Sequence, residues 1–222
     1  MCLKIMKKPR MNLKDLCIDR EWSVFLDRDG VINKRLPGDY VKKWEEFEFL
    51  PGVVEALSVL SGIFGYVFVV TNQQGIGKGL MSEKDLERVH EKMISEIEAG
   101  GGRIDGIYHS PYLESENHPS RKPQPGMAMK AIMDFPRVIL EKSLMVGDTG
   151  TDIQFGHNTG MYTVLITPQP THPQTQTKTQ THTHTHTHTQ TQTQTPLPDL
   201  TFSSLIGFAR ELKKITELNK PD

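Results

Sequence analysis

The sequence predicts an α/β fold, a Rossmann-like doubly wound parallel sheet. Two observations carry this. Short apolar runs alternate with segments of helical period, and three of those runs stop abruptly at a polar residue, Asp27, Thr71 or Asp148. Runs of four to six apolar, β-branched residues without strict alternation suit strands covered on both faces. In such sheets ligands bind beyond the carboxyl ends of the strands, where these three residues would lie together.

Taken in order, Ser23 to Leu26, Tyr66 to Val70, Ser143 to Gly147 and Met161 to Ile166 read as strands, with a shorter one near Ile104–Tyr108. Pro51-Gly52 precedes a helix marked by Val53, Leu57 and Leu60, the proline being well placed ahead of the first turn. Ser82, with Asp85 three residues on, opens a longer helix in the manner of a capping box. Leu86, Val89, Met93 and Ile97 mark its apolar face, and Gly100-Gly101-Gly102 ends it. Gly126 to Met133 and Thr151 to Thr159 are shorter helices. A last helix is expected over Phe202 to Leu218, with Leu205, Phe208, Leu212 and Ile215 on one side.

Four regions follow. Residues 1–22 read as a loose lead-in, 23–170 as the catalytic core, 171–196 as a low-complexity insertion, and 197–222 as a C-terminal helix packing on the core. From Thr175 to Thr195 every second residue is Thr, alternating with Gln, Lys or His. Neither face of such a strand is apolar, so pairing it would bury nothing to offset the ordering entropy. It is expected to be disordered and idle, although His182, His184, His186 and His188 offer imidazoles to Zn²⁺ or Ni²⁺. Without it, about 196 residues remain, a comfortable single-domain size.

Composition excludes several classes. Lys plus Arg is 26 and Asp plus Glu is 27, a formal net charge of -1, which argues against nucleic-acid binding through the phosphate backbone. No apolar run approaches the ~18–20 residues of a membrane helix, and the N-terminus lacks the apolar region of a secretory signal. The two cysteines, Cys2 and Cys17, cannot staple the fold, so a reducing, cytoplasmic setting is expected. A monomer is expected as well.

The chemistry begins at Asp27-Arg28-Asp29-Gly30. Two carboxylates at i and i+2, directly after a strand, suit a nucleophile and a general acid–base acting on phosphorus, and Gly30 relieves the sharp turn. Asp27, Asp29 and Asp148 would crowd negative charge around an anionic substrate, and a hard divalent cation resolves the repulsion. Mg²⁺ fits a site with few protein ligands plus water and phosphate. Lys122 adds positive charge to the transferring group.

On these residues the chain resembles the haloacid dehalogenase (HAD) superfamily of aspartate-nucleophile phosphotransferases. Thr71-Asn72-Gln73 matches its second motif, Lys122 its third, and Gly147-Asp148-Thr149-Gly150-Thr151-Asp152 its fourth. The resemblance implies a HAD-like fold, Asp27, Asp29, Thr71 and Lys122 as catalytic residues, and Mg²⁺ on the Asp27 carboxylate, the Asp29 main-chain carbonyl and the Asp148 carboxylate. Asp152 would fix Lys122 or a metal-bound water, or only cap the following helix.

Asp27 and Thr71 are 44 residues apart, and Thr71 and Lys122 are 51 apart. Those intervals are filled by the elements above, so no large cap domain is expected. The wording resembles the capless group of histidinol-phosphate and D,D-heptose 1,7-bisphosphate phosphatases through Asn33, Tyr40-Val41, Phe49-Leu50-Pro51-Gly52-Val53 and Arg121-Lys122-Pro123. The run from Thr71 to Gly79, with Lys78 basic, is closer to the heptose enzymes. This makes Tyr40, Asn72, Gln73, Gln74 and Arg121 candidate substrate contacts for a small phosphorylated metabolite, most simply a sugar phosphate. The implied activity is the 7-phosphatase reaction on D-glycero-D-manno-heptose 1,7-bisphosphate. Histidinol phosphate, a polynucleotide 3′-phosphate and a non-catalytic phosphosugar- or metal-binding module are the alternatives.

Two departures stand out. Many members bind zinc through three cysteines and a histidine in the loop before Arg121, whereas only His109 and His118 are present here. Two ligands do not close a tetrahedral site, so structural Zn²⁺ is not expected and both histidines read as ordinary loop residues. Thr149 stands where heptose enzymes often carry a basic residue.

Overall fold

A computed structural model describes residues 12–167 and 196–218. Six strands form one all-parallel sheet in the order β3-β2-β1-β4-β5-β6. They are β1 (Ser23–Leu26), β2 (Tyr66–Asn72), β3 (Gly106–Ser110), β4 (Ser143–Gly147), β5 (Tyr162–Ile166) and β6 (Leu200–Phe202). The helices are α1 (Val53–Ile63), α2 (Gln74–Gly77), α3 (Glu83–Ala99), α4 (Gly126–Asp134), α5 (Gly150–Thr159) and α6 (Leu205–Leu218). β1 pairs with β2 on one side and β4 on the other, Leu26 lying opposite Val69 and Val146. The chain reverses its direction of progress across the sheet at β1, which makes the β1/β4 crevice the switch point where doubly wound sheets bind ligands.

The period of two sorts strand residues onto two cores. Val24, Leu26, Val67, Val69, Leu144 and Val146 pack with α1, α3 and α6, whereas Phe25, Phe68, Val70 and Met145 pack with α4 and Phe155 of α5. Both faces are therefore dry, as the unbroken apolar runs require. Ser82 caps α3 through a reciprocal box with Asp85, as its sequence predicts.

Three expectations need correction. Residues 12–22 are no loose lead-in: Leu13–Leu16 form a short 3-10 helix, and Leu13, Leu16, Ile18 and Trp22 are buried in the larger core. The last helix starts at Leu205, because Leu200–Phe202 instead form the edge strand β6, with Leu165 opposite Thr201. His109 lies on strand β3 rather than in a loop. The Thr-rich tract falls outside the described residues, apart from Pro196. Among the described residues no helix is long and apolar enough to cross a membrane.

Candidate active site

Asp27 is the first residue past β1, and its amide still donates to Val146 O (2.9 Å) across the β1–β4 ladder. This fixes the carboxylate at the switch point, where it is buried. Its Oδ1 accepts from the Arg28 amide at 2.8 Å and lies 2.9 Å from Lys122 Nζ. Burial pushes the Asp27 carboxyl up to about 7, against the pull of Lys122. Lys122 is equally buried. Its ammonium also reaches Asp152 Oδ1 (2.6 Å) and Val70 O (2.8 Å). Burial works against its charge, but Asp152 and Asp27 outweigh that and hold Lys122 protonated.

The turn after Asp27 is tight. Gly30 has φ +103°, and a Cβ there would overlap the Asp148 carboxylate, so β1 and β4 approach at a point that admits no side chain. The Asp29 carboxylate is held by Arg28 Nη2 (2.9 and 3.0 Å), Asn33 Nδ2 (2.9 Å) and Gln73 Nε2 (2.8 Å). Burial alone would raise it. The Arg28 charge and these hydrogen bonds outweigh burial and hold it below the usual carboxylate range.

Thr71, at the end of β2, is buried, and its Oγ1 accepts from Gln73 Nε2 at 2.8 Å. The Asn72 side chain makes a reciprocal pair with the Lys122 main chain: Nδ2 donates to Lys122 O (3.1 Å) and Oδ1 accepts from Lys122 N (3.0 Å). That pair ties the loop before α4 to the end of β2. Asp148 follows β4; burial raises its carboxyl, opposed by Arg35. Asp152, in the first turn of α5, holds Lys122 and caps its own helix at once. While Oδ1 takes Lys122, Oδ2 accepts from Thr149 N (3.0 Å) and Thr149 Oγ1 (2.6 Å) as a helix cap.

Asp27, Asp29, Thr71, Asn72, Lys122 and Asp152 floor a cavity of about 730 Å³ walled by Tyr40, Gln74, Lys78, His118 and Arg121 among others. Tyr40 Oη accepts from Gln74 Nε2 (2.8 Å) and Lys78 Nζ (2.9 Å), and Arg121 is anchored through Nη1 to Tyr112 O at 3.1 Å. Of the residues singled out in the sequence, Asp27, Asp29, Thr71, Asn72, Lys122, Tyr40, Gln74 and Arg121 all line this cavity. Gln73 does not. It is buried and its amide turns inward to Asp29 and Thr71, which corrects the expectation that it contacts substrate.

Carboxylate oxygens of Asp27, Asp148 and Asp152 lie within 4.8 Å of one another, a set that suits a divalent cation. Asp152 is committed to Lys122 and Thr149, and Asp27 Oδ1 to Arg28 N and Lys122, so Asp27 Oδ2 and the Asp148 carboxylate are the oxygens a cation would take. Arg35 was not foreseen. Its Nη2 lies 2.8 Å from Asp148 Oδ1, 2.7 Å from Asp29 O and 3.8 Å from Asp27 Oδ2. A positive group already sits among the acceptors a cation would use. His109 and His118 have separate partners: His109 pairs with Glu83 (2.8 Å), and His118 bonds Ser120 (2.8 Å) and stacks on Tyr112.

The family model described as HAD-hydrolase-like matches residues 119–192. The chain is 41% identical over 138 residues to the D-glycero-alpha-D-manno-heptose-1,7-bisphosphate 7-phosphatase of Mycobacterium bovis, covering 62% of this chain and 73% of that one. It is 34% identical over 151 residues to the D-glycero-beta-D-manno-heptose-1,7-bisphosphate 7-phosphatase of Rhodopseudomonas palustris, covering 64% and 81%. Among solved structures, the D,D-heptose 1,7-bisphosphate phosphatase from B. bronchiseptica, complexed with magnesium and phosphate, superposes with TM-score 0.70 at 25% identity, over 87% of this chain and 98% of that one. With its strand-end acids, buried lysine and parallel sheet, the chain belongs to the heptose 1,7-bisphosphate 7-phosphatase family of HAD-like hydrolases.

Proposed function

We propose that the chain is a Mg²⁺-dependent phosphomonoester hydrolase that removes the 7-phosphate of D-glycero-D-manno-heptose 1,7-bisphosphate through an aspartyl-phosphate on Asp27. The observation that carries this is the convergence of Asp27, Lys122 and Asp148 at one switch point, with Lys122 Nζ 2.9 Å from the nucleophile. The Asp27 and Asp148 carboxylates and the Asp29 carbonyl would hold the Mg²⁺, and their fit to a cation is supported by the Arg35 guanidinium now seated among them. When bound, the ion neutralises charge on the phosphoryl oxygens and on the two carboxylates.

In the first step an Asp27 oxygen bonds to phosphorus, the bond to the sugar oxygen breaks, and Asp29 gives that oxygen its proton. This requires Asp29 to leave Arg28, Asn33 and Gln73 and carry a proton. In the second step Asp29 takes a proton from water, the water oxygen bonds to phosphorus, and Asp27 is released. Within its present contacts Asp29 is held ionised and is therefore a weak base, so both steps call for those contacts to loosen. Lys122 holds the nucleophile and stabilises charge on the transferring group. The Thr71 hydroxyl is a candidate donor to a phosphoryl oxygen.

Substrate choice rests on the cavity wall. Lys78 and Arg121 stand on the wall away from the Asp27 cluster. Two cations there suit a substrate with a second phosphate better than histidinol phosphate, whose imidazole and amine call for acids. The test is phosphate release, with and without Mg²⁺, from both anomers of heptose 1,7-bisphosphate, histidinol phosphate and a 3′-phosphorylated oligonucleotide. Release from the bisphosphate alone, and only with Mg²⁺, is expected; faster release from histidinol phosphate would overturn the assignment.

A further inference from the structure

Arg35 Nη2 contacts Asp29 O and Asp148 Oδ1 at 2.7 and 2.8 Å and lies 3.8 Å from Asp27 Oδ2. These are the three groups assigned above to the divalent cation. We propose, on that reading, that the Arg35 guanidinium and the cation compete for one set of oxygens, and that the guanidinium displaced by the cation becomes an anion-binding group of the cavity.

The local charge balance shows why. Asp27, Asp148 and Asp152 carry three carboxylates at the switch point, and Lys122 answers only Asp27 and Asp152. Among the described residues Arg35 is the one ion-pair partner of Asp148. It brings the cluster nearer neutrality when no divalent ion is there. Two positive groups cannot share the same lone pairs at bonding distance, so a cation that takes these oxygens expels the guanidinium. The exit is short. The Arg35 side chain is 49% exposed and stands on the loop 34–41, whose residues 35–41 all line the cavity. A guanidinium released there, beside Lys78 and Arg121, meets an incoming phosphate with a planar fork of donors. Cation and anion then bind cooperatively, with Arg35 as the coupling group, and linkage makes the effect reciprocal.

The test is calorimetric. Mg²⁺ is titrated into wild type and Arg35→Ala without phosphate, and orthophosphate is then titrated into each Mg²⁺-loaded protein. Removing the competitor should tighten Mg²⁺ by at least about fivefold, and the loaded variant should bind orthophosphate more weakly by a similar factor. Unchanged or weaker Mg²⁺ binding overturns the competition, and unchanged orthophosphate affinity overturns the anion role. Thermal melts of the same samples report folding: the variant should melt below wild type in EDTA and match it in saturating Mg²⁺. If Arg35→Ala does not fold, Arg35→Gln, which keeps a donor and drops the charge, gives the same two readings. A wild type that binds no Mg²⁺ and releases no phosphate would instead overturn the assigned reaction.

Discussion

One carboxylate oxygen of Asp152 holds Lys122 at 2.6 Å, while the other caps the N-terminus of its own helix through Thr149. Lys122 is thereby tied to α5 as well as to Asp27, and the register of β4–α5 is transmitted directly to the Asp27 carboxylate. Gly147 belongs to the same arrangement, since a Cβ there would overlap the Asp152 side chain. Asp152→Ala leaves a buried ammonium short of a counter-charge and uncaps α5. Breaking a buried pair by removing one partner costs about 3–5 kcal/mol, and we expect a loss of that order in chemical denaturation together with a fall in kcat. Asp152→Asn, which can still cap, should recover part of the stability and little of the kcat.

Asp27→Asn tests the nucleophile proposed above. The amide is nearly isosteric and can still accept from the Arg28 amide, but it cannot form the aspartyl-phosphate. Turnover should fall by at least about 10⁴-fold, while orthophosphate still binds the Mg²⁺-loaded protein in calorimetry. Turnover close to wild type in this variant would refute covalent catalysis at Asp27.

Gly30→Ala separates backbone strain from the local clash. Gly30 at φ +103° and Gly160 at φ +76° both lie where L side chains are disfavoured, but only Gly30 faces Asp148; nothing lies within 4 Å of a Cβ at Gly160. Each alanine should cost about 1–3 kcal/mol in backbone strain. Gly30→Ala should in addition displace the Asp148 carboxylate and weaken Mg²⁺ by at least about tenfold, roughly 1.4 kcal/mol. Equal Mg²⁺ affinities for the two variants would show that Asp148 tolerates the displacement.

The strand ends Asp27, Thr71 and Asp148 were legible because a buried parallel strand is a continuous apolar run, and a polar residue at its carboxyl end stands out. Lys122 was legible only through its motif: no periodicity surrounds it, and its position depends on Asn72 clamping its main chain from another element. Arg35 gave no local signal at all, because its partners are more than one hundred residues away in Asp148 and six away in a main-chain carbonyl. β6 escaped notice because it has three residues and follows a polar tract, so its pairing with β5 is purely tertiary. The burial of Leu13 and Leu16 was visible in principle as a three-residue apolar spacing after the capping Asn12. Gln73 misled because its motif neighbours face the cavity while its own amide turns inward. His90 could have been found: it lies four residues after Leu86 on the apolar face of α3, where a polar side chain needs a buried partner.

That partner is Arg28, and it makes the fold sensitive to acid. Arg28 is fully buried, with Nη1 3.2 Å from His90 Nε2 and Nη2 on Asp29. A guanidinium has only donors, so Nε2 must accept and His90 must be neutral, with its proton on Nδ1. Burial first, and then the charge of Arg28, depress His90 from 6.5 to about 3. The unfolded chain therefore takes up this proton below about pH 6.5, whereas the folded chain takes it up only near pH 3. The stabilisation is complete above the unfolded value and declines as pH falls through that window, by about 1.4 kcal/mol per unit. His90→Gln presents a carbonyl acceptor to Arg28 without a titratable ring. From pH 6.5 to 5 wild type should lose about 2 kcal/mol more than this variant, read from urea midpoints. Parallel losses in the two proteins would mean that His90 is free to take up a proton inside the fold.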